Sequence, residues 1–323
     1  MRHISLDAIR DARTRVYEVA VRTPLVRIDL AHGPTRFPID ELYLKLELLQ
    51  PIGSFKIRGA WNAVRQLSPS QLAQGVWTVS AGNAAQGVAL AARHAGARCR
   101  VMVMDTAPAA KIDAIERLGA AIVRASYDEC WKTVESHHSD RMTGCFVHPF
   151  DDDRFIAGNA TAGLEILEDL PDVDAVIAPI GGGGLLAGLA AGVTSGRPSV
   201  RIFGAEPATA SPLATSLEAG SPQYFPSWQA SFVDGAGGKS VLPTMWPLLK
   251  DLAGSIVVSL DEAAAAMRLV ADRAHVIAEG AASCAVAAAL TGRAGTGKVV
   301  AVVSGGNIDL SRFASLVGAC QAS

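Results

Sequence analysis

The chain has 323 residues, half of them hydrophobic and 19% charged, and its 29 Lys and Arg against 31 Asp and Glu give a net charge of −2. Such a composition describes a globular chain, long enough for one large domain or two modest ones sharing a core. The charge balance offers no basis for binding nucleic acid or an anionic membrane surface, and no apolar run reaches the ~20 residues that span a bilayer.

In chain order, residues 5–22 carry Ile9, Val16 and Val19 on one side of an amphipathic helix that Thr23-Pro24-Leu25 ends. After a polar loop, residues 41–49 alternate as a strand with Leu42, Leu44, Leu46 and Leu48 on one face. Gly53-Ser54-Phe55-Lys56-Ile57-Arg58-Gly59-Ala60 follows and runs on as helix to Leu67. From Gly75 the pattern repeats: strand 76–79, turn Ser80-Ala81-Gly82-Asn83, helix 86–94, strand 100–104, helix 109–118, strand 121–123, helix 128–139. Residues 146–152 are expected to cross between domains. Helix 154–169, strand 175–180, four glycines, helix 185–193 and strand 201–204 resume the alternation. Residues 221–247, rich in Gly, Pro and aromatics, read as an extended lining segment. Residues 261–289 read as one or two helices broken near Gly280, and 299–303 as a last strand ending in Ser304-Gly305-Gly306-Asn307. Apolar strands alternating with helices predict an α/β protein with mainly parallel sheets covered by helices on both faces.

Lys56 stands between an aromatic and an aliphatic residue. Burial disfavours an ammonium, and a neutral amine is a nucleophile that can form a Schiff base. On local context alone the ordinary reading, a lysine whose stem packs while its charge reaches water, is favoured. Gly181-Gly182-Gly183-Gly184-Leu185 lies between an apolar strand and an apolar helix. Its bare backbone can aim several N–H groups and a helix N-terminus at a phosphate, although a structural turn would also use one or two glycines. A dinucleotide fingerprint would need spaced glycines; Glu206 after strand 201–204 keeps that alternative open.

Several patterns are set aside. Gly292-Arg293-Ala294-Gly295-Thr296-Gly297-Lys298 has the spacing of a nucleotide-triphosphate loop, but Val299 stands where Ser or Thr is needed and a strand follows. Asp151-Asp152-Asp153 and His137-His138 lack ligand spacing and read as a helix start and an exposed helix end. No G-x-S-x-G elbow is present. The cysteines Cys99, Cys130, Cys145, Cys284 and Cys320 form no C-x-x-C pair and read as free thiols of a reducing cytoplasm. The N-terminus lacks the apolar core and cleavage site of a secretory signal. Lys56, the Asn83 turn, the glycine loop and the Ser304 turn each fall at the C-terminal end of a strand, the edge where parallel α/β sheets bind ligands.

Ser-Phe-Lys-Ile-Arg-Gly-Ala at 54–60, Ser-Ala-Gly-Asn-Ala-Ala-Gln-Gly-Val-Ala at 80–89, Gly-Gly-Gly-Gly-Leu at 181–185 and Ser-Gly-Gly-Asn at 304–307 resemble the serine/threonine dehydratase family of pyridoxal 5′-phosphate enzymes. The match runs in order along almost the whole chain. The resemblance implies fold type II, two three-layer αβα domains with the cofactor in the cleft between them, residues 1–70 and 151–323 forming the large domain and 71–150 the small one. Lys56 would form the Schiff base and act as acid and base at Cα; Asn83 would bond the cofactor's phenolic oxygen; Gly181, Gly182, Gly183, Gly184 and Leu185 would bind its phosphate; Ser304 would face the pyridine nitrogen and Phe55 would pack near the ring. Ser80, Ala81, Gly82, Asn83 and Ala84 would hold the substrate. The implied reaction is dehydration and deamination of a β-hydroxy-α-amino acid to a 2-oxo acid and ammonia, in a cytoplasmic homodimer.

The sequence departs from the family in places. Ala84 replaces the usual histidine, and Asp234-Gly235-Ala236-Gly237-Gly238 replaces a more aliphatic segment; both fit a pocket enlarged for a bulky substrate such as 3-phenylserine, with ordinary serine or threonine dehydration as the alternative. Ala81 stands where serine racemases of the family carry a second serine, which disfavours racemisation. Members with a divalent-metal site use a glutamate, a carbonyl four residues on and an aspartate six on; Glu206 and Ala210 match, but Pro212 does not, so no metal is expected. With 16 residues after Asn307, feedback control through an added regulatory domain is not expected. Cysteine or threonine synthase-like replacement on the same fold is the remaining enzymatic alternative.

Overall fold

In the computed structural model, residues 2–30 and 37–319 are described; Cys320 lies outside them. Helix α1 (Leu6–Val16) starts at Ser5, whose hydroxyl accepts from Ala8 N at 3.2 Å, and buries Ile9, Ala12 and Val16. It ends six residues before the sequence suggests, because the bonds tighten to i→i−3 at Glu18 and Val19. Strand β1 (Leu25–Ile28), unforeseen in the polar loop, pairs antiparallel with β2 (Glu41–Lys45). The expected strand 41–49 stops at Lys45 since residues Glu47–Leu49 coil as a 3₁₀ turn. The lysine helix α2 (Lys56–Val64) and a short helix α3 (Pro69–Gln74) follow. The latter carries a Ser68/Gln71 capping box.

The alternating region then forms as expected, with boundaries shifted by a few residues: β3 (Val76–Val79), α4 (Asn83–His94), β4 (Cys99–Met104), α5 (Ala109–Glu116), β5 (Ala120–Ala125) and α6 (Tyr127–Ser136). The crossing segment contributes its first residue to a two-residue strand β6 (Cys145–Phe146) paired with β3. These four strands make a parallel sheet of order β5-β4-β3-β6.

Helix α7 (Asp153–Asp169) leads back to β7 (Ala175–Pro179), α8 (Gly184–Gly196), β8 (Arg201–Pro207), α9 (Pro212–Ala219) and the short α10 (Trp246–Leu249). Strand β9 (Gly254–Val258), also unforeseen, precedes α11 (Leu260–Ala274), α12 (Gly280–Leu290), β10 (Lys298–Val302) and α13 (Leu310–Ala319). The break near Gly280 separates α11 from α12, as the sequence suggests. The second sheet has six strands in the order β1-β2-β10-β7-β8-β9, parallel except for β1. Its central strands β7 and β10 are almost wholly buried, as befits strands with helices on both faces. Helix α2 packs against both α4 and α7, so the lysine helix sits where the two sheets' helix layers meet. Among the described residues no helix is long and apolar enough to cross a membrane.

Candidate active site

Strands β2, β10 and β7 are parallel neighbours, so their C-terminal ends deliver the lysine turn, the Ser304 turn and the glycine loop to one edge. The first two are stitched together: Phe55 N donates to Ser304 O at 3.0 Å, Gly306 N to Gly53 O at 2.9 Å, and Ser54 bridges Gly305. Ser304 itself is buried. Lys56 opens α2, half-buried, with Nζ donating to the Pro149 carbonyl at 2.7 Å and the rings of Phe55 and Phe155 centred 5.2 and 5.5 Å away. Desolvation lowers its pKa to about 8, against the opposing pull of Glu279. The neutral amine, the state a nucleophile needs, is therefore far more accessible near physiological pH than for an ordinary lysine, although it becomes the main form only above about pH 8.

The residue after Pro149 links the lysine to the glycine loop. The Phe150 ring occupies the space a side chain on Gly182 would need, and a Cβ on Gly184 would lie 2.8 Å from Phe150 O. Gly183 adopts φ +93°, a backbone that disfavours side chains. The glycines thus have packing reasons as well as a binding one, which the sequence did not show. Their amides carry the second reason. Ala187 N is the first of the turn to find a carbonyl, Gly183 O at 2.9 Å. Among the described residues no hydrogen bond uses the N–H groups of Gly182, Gly183, Gly184 or Leu185. Unpaired donors at the N-terminus of a 13-residue helix suit a phosphate. Beneath them, buried Asn159 donates to Gly184 O at 3.2 Å while its own Oδ1 has no partner.

The third wall is the turn from β3 into α4. Ser80 Oγ accepts from Gly82 N at 3.1 Å, and a Cβ added to Gly82 would meet nothing within 4 Å. The N–H groups of Asn83, Ala84 and Ala85 are again unused among the described residues, a second anion cradle suited to a carboxylate. Ala81 is half-buried and Ala84 buried. Asn83 Nδ2 donates to Glu279 Oε1 at 2.8 Å, and Asn83 Oδ1 accepts from Asn307 Nδ2 at 2.7 Å.

Glu279 is the site residue that sequence reasoning missed. It precedes α12 and is 7% exposed; burial, and then the nearby Asp234, push its pKa up to about 7. Only the helix break at Gly280 pointed to the spot. The lining segment reaches the loop as expected of residues 221–247: Gly235 O approaches to 2.6 Å of a Cβ placed on Gly181. Asp234 pairs with Lys111 across the cleft.

The metal triad does not fit. Glu206 Oε1 accepts from Leu213 N at 2.8 Å, and Oε2 from Ala214 N at 2.9 Å and Ser255 Oγ at 2.6 Å. The carboxylate caps α9, and Pro212 brings no oxygen-bearing side chain. A cluster of His137, His148 and Asp151 is likewise committed. His148 Nδ1 accepts from Asp151 N at 2.6 Å and Nε2 faces Val134 O at 3.1 Å, while Arg2 and Thr244 hold Asp151.

The residues do fit pyridoxal phosphate: an amine of lowered pKa, an amide nest for the phosphate and a polar turn opposite. The comparisons agree. The pyridoxal-phosphate dependent enzyme family matches residues 16–305. An L-threonine ammonia-lyase of Thermotoga maritima is 37% identical over 318 residues, 97% of this chain and 78% of that one. Among solved structures, threonine deaminase isoform 2 of Solanum lycopersicum superposes with TM-score 0.87 at 31% identity, covering 98% of this chain and 88% of that one. Maize serine racemase gives TM-score 0.86 at 32% identity, with 99% of each chain covered. The chain belongs to the pyridoxal-phosphate dependent enzyme family, with the type II fold, and within it to the ammonia-lyases of serine/threonine dehydratase type.

Proposed function

We propose that the protein dehydrates and deaminates a β-hydroxy-α-amino acid, releasing a 2-oxo acid and ammonia. One observation carries the reading: the protein combines the desolvated amine of Lys56 with two sets of amides that are unpaired among the described residues, one on the glycine loop and one at the start of α4. Pyridoxal phosphate, when bound, supplies an aldehyde that takes an amine and a ring that withdraws electrons from the substrate's Cα. Gly181 to Leu185 would hold its phosphate. The first turn of α4 and the Ser80 turn hold the substrate carboxylate, which fixes Cα relative to Lys56. The neutral Lys56 amine then takes the Cα proton, and loss of the β-hydroxyl follows. Phe55 and Phe155 flank that amine with their rings centred 5.2 and 5.5 Å away, part of the burial that lowers its pKa. Ser304, placed beside Phe55 by a backbone bond, is assigned to the pyridine nitrogen; a hydroxyl does not hold a proton there, and a weaker electron sink favours elimination over transamination.

The substrate is assigned to the bulky end of the class, 3-phenylserine being a candidate. Ala84 and Ala81 are small, and the space beside Gly82 is open. Ala81 also brings no proton donor to the turn, which favours elimination over racemisation despite the racemase-like fold. The protein is further proposed to work as a homodimer. Release of 2-oxo acid from L-serine, L-threonine and L-threo-3-phenylserine tests the assignment. A kcat/KM for phenylserine at least about tenfold above both others, a gap of roughly 1.4 kcal/mol, is expected; a serine or threonine preference overturns the bulky-substrate assignment. Absence of 2-oxo acid from all β-hydroxy amino acids overturns the dehydratase reading.

A further inference from the structure

The carboxamide of Asn83 is held from both sides. Asn307 Nδ2 donates to Ile52 O at 2.8 Å and to Asn83 Oδ1 at 2.7 Å. A carbonyl only accepts, so Ile52 settles which end of the Asn307 amide faces inward. Asn307 in turn settles that Asn83 presents its oxygen to Asn307 and its nitrogen to Glu279. That nitrogen donates to Glu279 Oε1 at 2.8 Å. The carboxylate is itself fixed: Asn307 N donates to Oε2 at 3.2 Å, and Glu279 N donates to Gly305 O at 3.0 Å. Gly305 leaves the room this needs, since a Cβ there would lie 2.6 Å from Glu279 Oε1 and 3.2 Å from Asn83 Nδ2. One N–H of Asn83 is thereby committed to Glu279, and among the described residues the other meets no acceptor.

We infer that Glu279 and Asn307 are positioning residues that lock the Asn83 amide so that its second N–H is presented to an anionic oxygen of the bound cofactor. The inference rests on the reading above in which Asn83 meets the phenolic oxygen. Without the lock, the amide can turn its own oxygen toward that anion and repel it. Burial and Asp234 bring Glu279 to a pKa of about 7, so its charge is partial at neutral pH. The Asn307 contact holds the orientation in either state.

The test loads wild type, Asn307→Ala, Glu279→Gln, Asn83→Ala and the two double variants containing Asn83→Ala with pyridoxal phosphate. Cofactor dissociation constants and the visible absorption band are read across pH. Each single change at 307 or 279 is expected to weaken retention about tenfold, one hydrogen bond's worth, and to move absorbance from the visible band to the near ultraviolet. In the Asn83→Ala background, neither is expected to add more than about twofold, because coupled residues do not act independently. Additive losses in that background, or unchanged spectra in both singles, overturn the inference while leaving the dehydratase reading intact. A wild-type protein that takes up no borohydride-trappable colour, or a spectroscopically silent Asn83→Ala, removes the underlying reading and the inference with it. Asn307 is exposed and Glu279→Gln is isosteric, so a folded variant remains available from one side of the clamp.

Discussion

Two cations lie two residues apart at the start of α2, and the protein treats them in opposite ways. Arg58 is completely buried, yet its donors are matched. Nε and Nη2 meet Glu47 at 2.7 and 2.8 Å, and Nη1 and Nη2 meet Glu165 at 2.6 and 3.0 Å. Lys45 adds a further bond to Glu165 at 2.5 Å, so two cations face two carboxylates in a neutral cluster. Burial works against the Arg58 charge, but Glu47 and Glu165 more than offset it. Lys56 has one carbonyl and two aromatic rings, and its charge is disfavoured. Full satisfaction makes Arg58 inert and ties α2 to the 3₁₀ turn after β2 and to α7; partial satisfaction leaves Lys56 reactive on a helix that Arg58 anchors.

Breaking the reactive half has the largest expected effect. Lys56→Ala should lower turnover by a factor of about 10⁴ or more and abolish borohydride-trappable colour. The cofactor-free protein should unfold at the same or higher denaturant concentration, because a group with an unfavourable environment has gone. Normal turnover would remove the lysine from the mechanism. Breaking the inert half should do the reverse. Arg58→Met strips both carboxylates of their fork and should destabilise the fold by about 3–5 kcal/mol, read as a lower urea midpoint, with cofactor colour retained wherever the protein remains folded. A loss of colour without a loss of stability would show that Arg58 acts on the chemistry instead.

The contrast also marks what the sequence can convey. Strand–turn–helix alternation is local, so β3 to α6 and α7 to α8 are legible within a few residues, and the four site segments announce themselves by composition. Strands β1, β6 and β9 are not legible: two to five residues each, they are strands only because β2, β3 and β8 lie beside them. The early end of the 41–49 strand has the same origin, since Glu47 turns inward to meet Arg58, a partner chosen by the tertiary fold. Glu279 is hidden likewise, an ordinary acid until Asn83 and Asn307 arrive from 196 and 28 residues away. Gly182 and Gly184 show the converse: their reason to be glycine includes Phe150, which no local pattern reveals.

A smaller effect sharpens the comparison through pH. Arg58 does not titrate, whereas Lys56 changes state near pH 8. The rate at which cofactor-free protein captures pyridoxal phosphate should rise with pH and level off above about 8, as the neutral amine becomes the main form. The sign for stability agrees. Between about 8 and the ordinary lysine value the unfolded chain binds more protons, so this group's contribution improves as pH rises through that window. Glu279 runs oppositely: its folded pKa of about 7 exceeds the unfolded 4.5, so its contribution is complete below 4.5 and lost as pH rises through 7. Because Glu279 raises the Lys56 pKa, Glu279→Gln should move the break in the capture profile to lower pH. An unmoved break would separate the two groups.

The smallest effect is expected at Glu206, which belongs with Arg58 on the satisfied side despite its family association with metal. Its oxygens already hold Leu213 N, Ala214 N and Ser255 Oγ. A cation there would have to displace amides at the start of α9 and would find Pro212 in place of a carboxylate. Chelator, Mg²⁺ or Ca²⁺ should therefore change neither the melting temperature nor turnover by a measurable amount. Glu206→Gln presents an NH₂ group to a donor and should cost about 1–2 kcal/mol. Burial raises the Glu206 pKa to about 6, so its contribution to stability is complete below the unfolded value of 4.5 and lost as pH rises through 6; the glutamine variant should lose that pH dependence. A melting temperature that climbs with cation concentration in wild type, but not in Glu206→Gln, would move this carboxylate to the unsatisfied side, alongside Lys56.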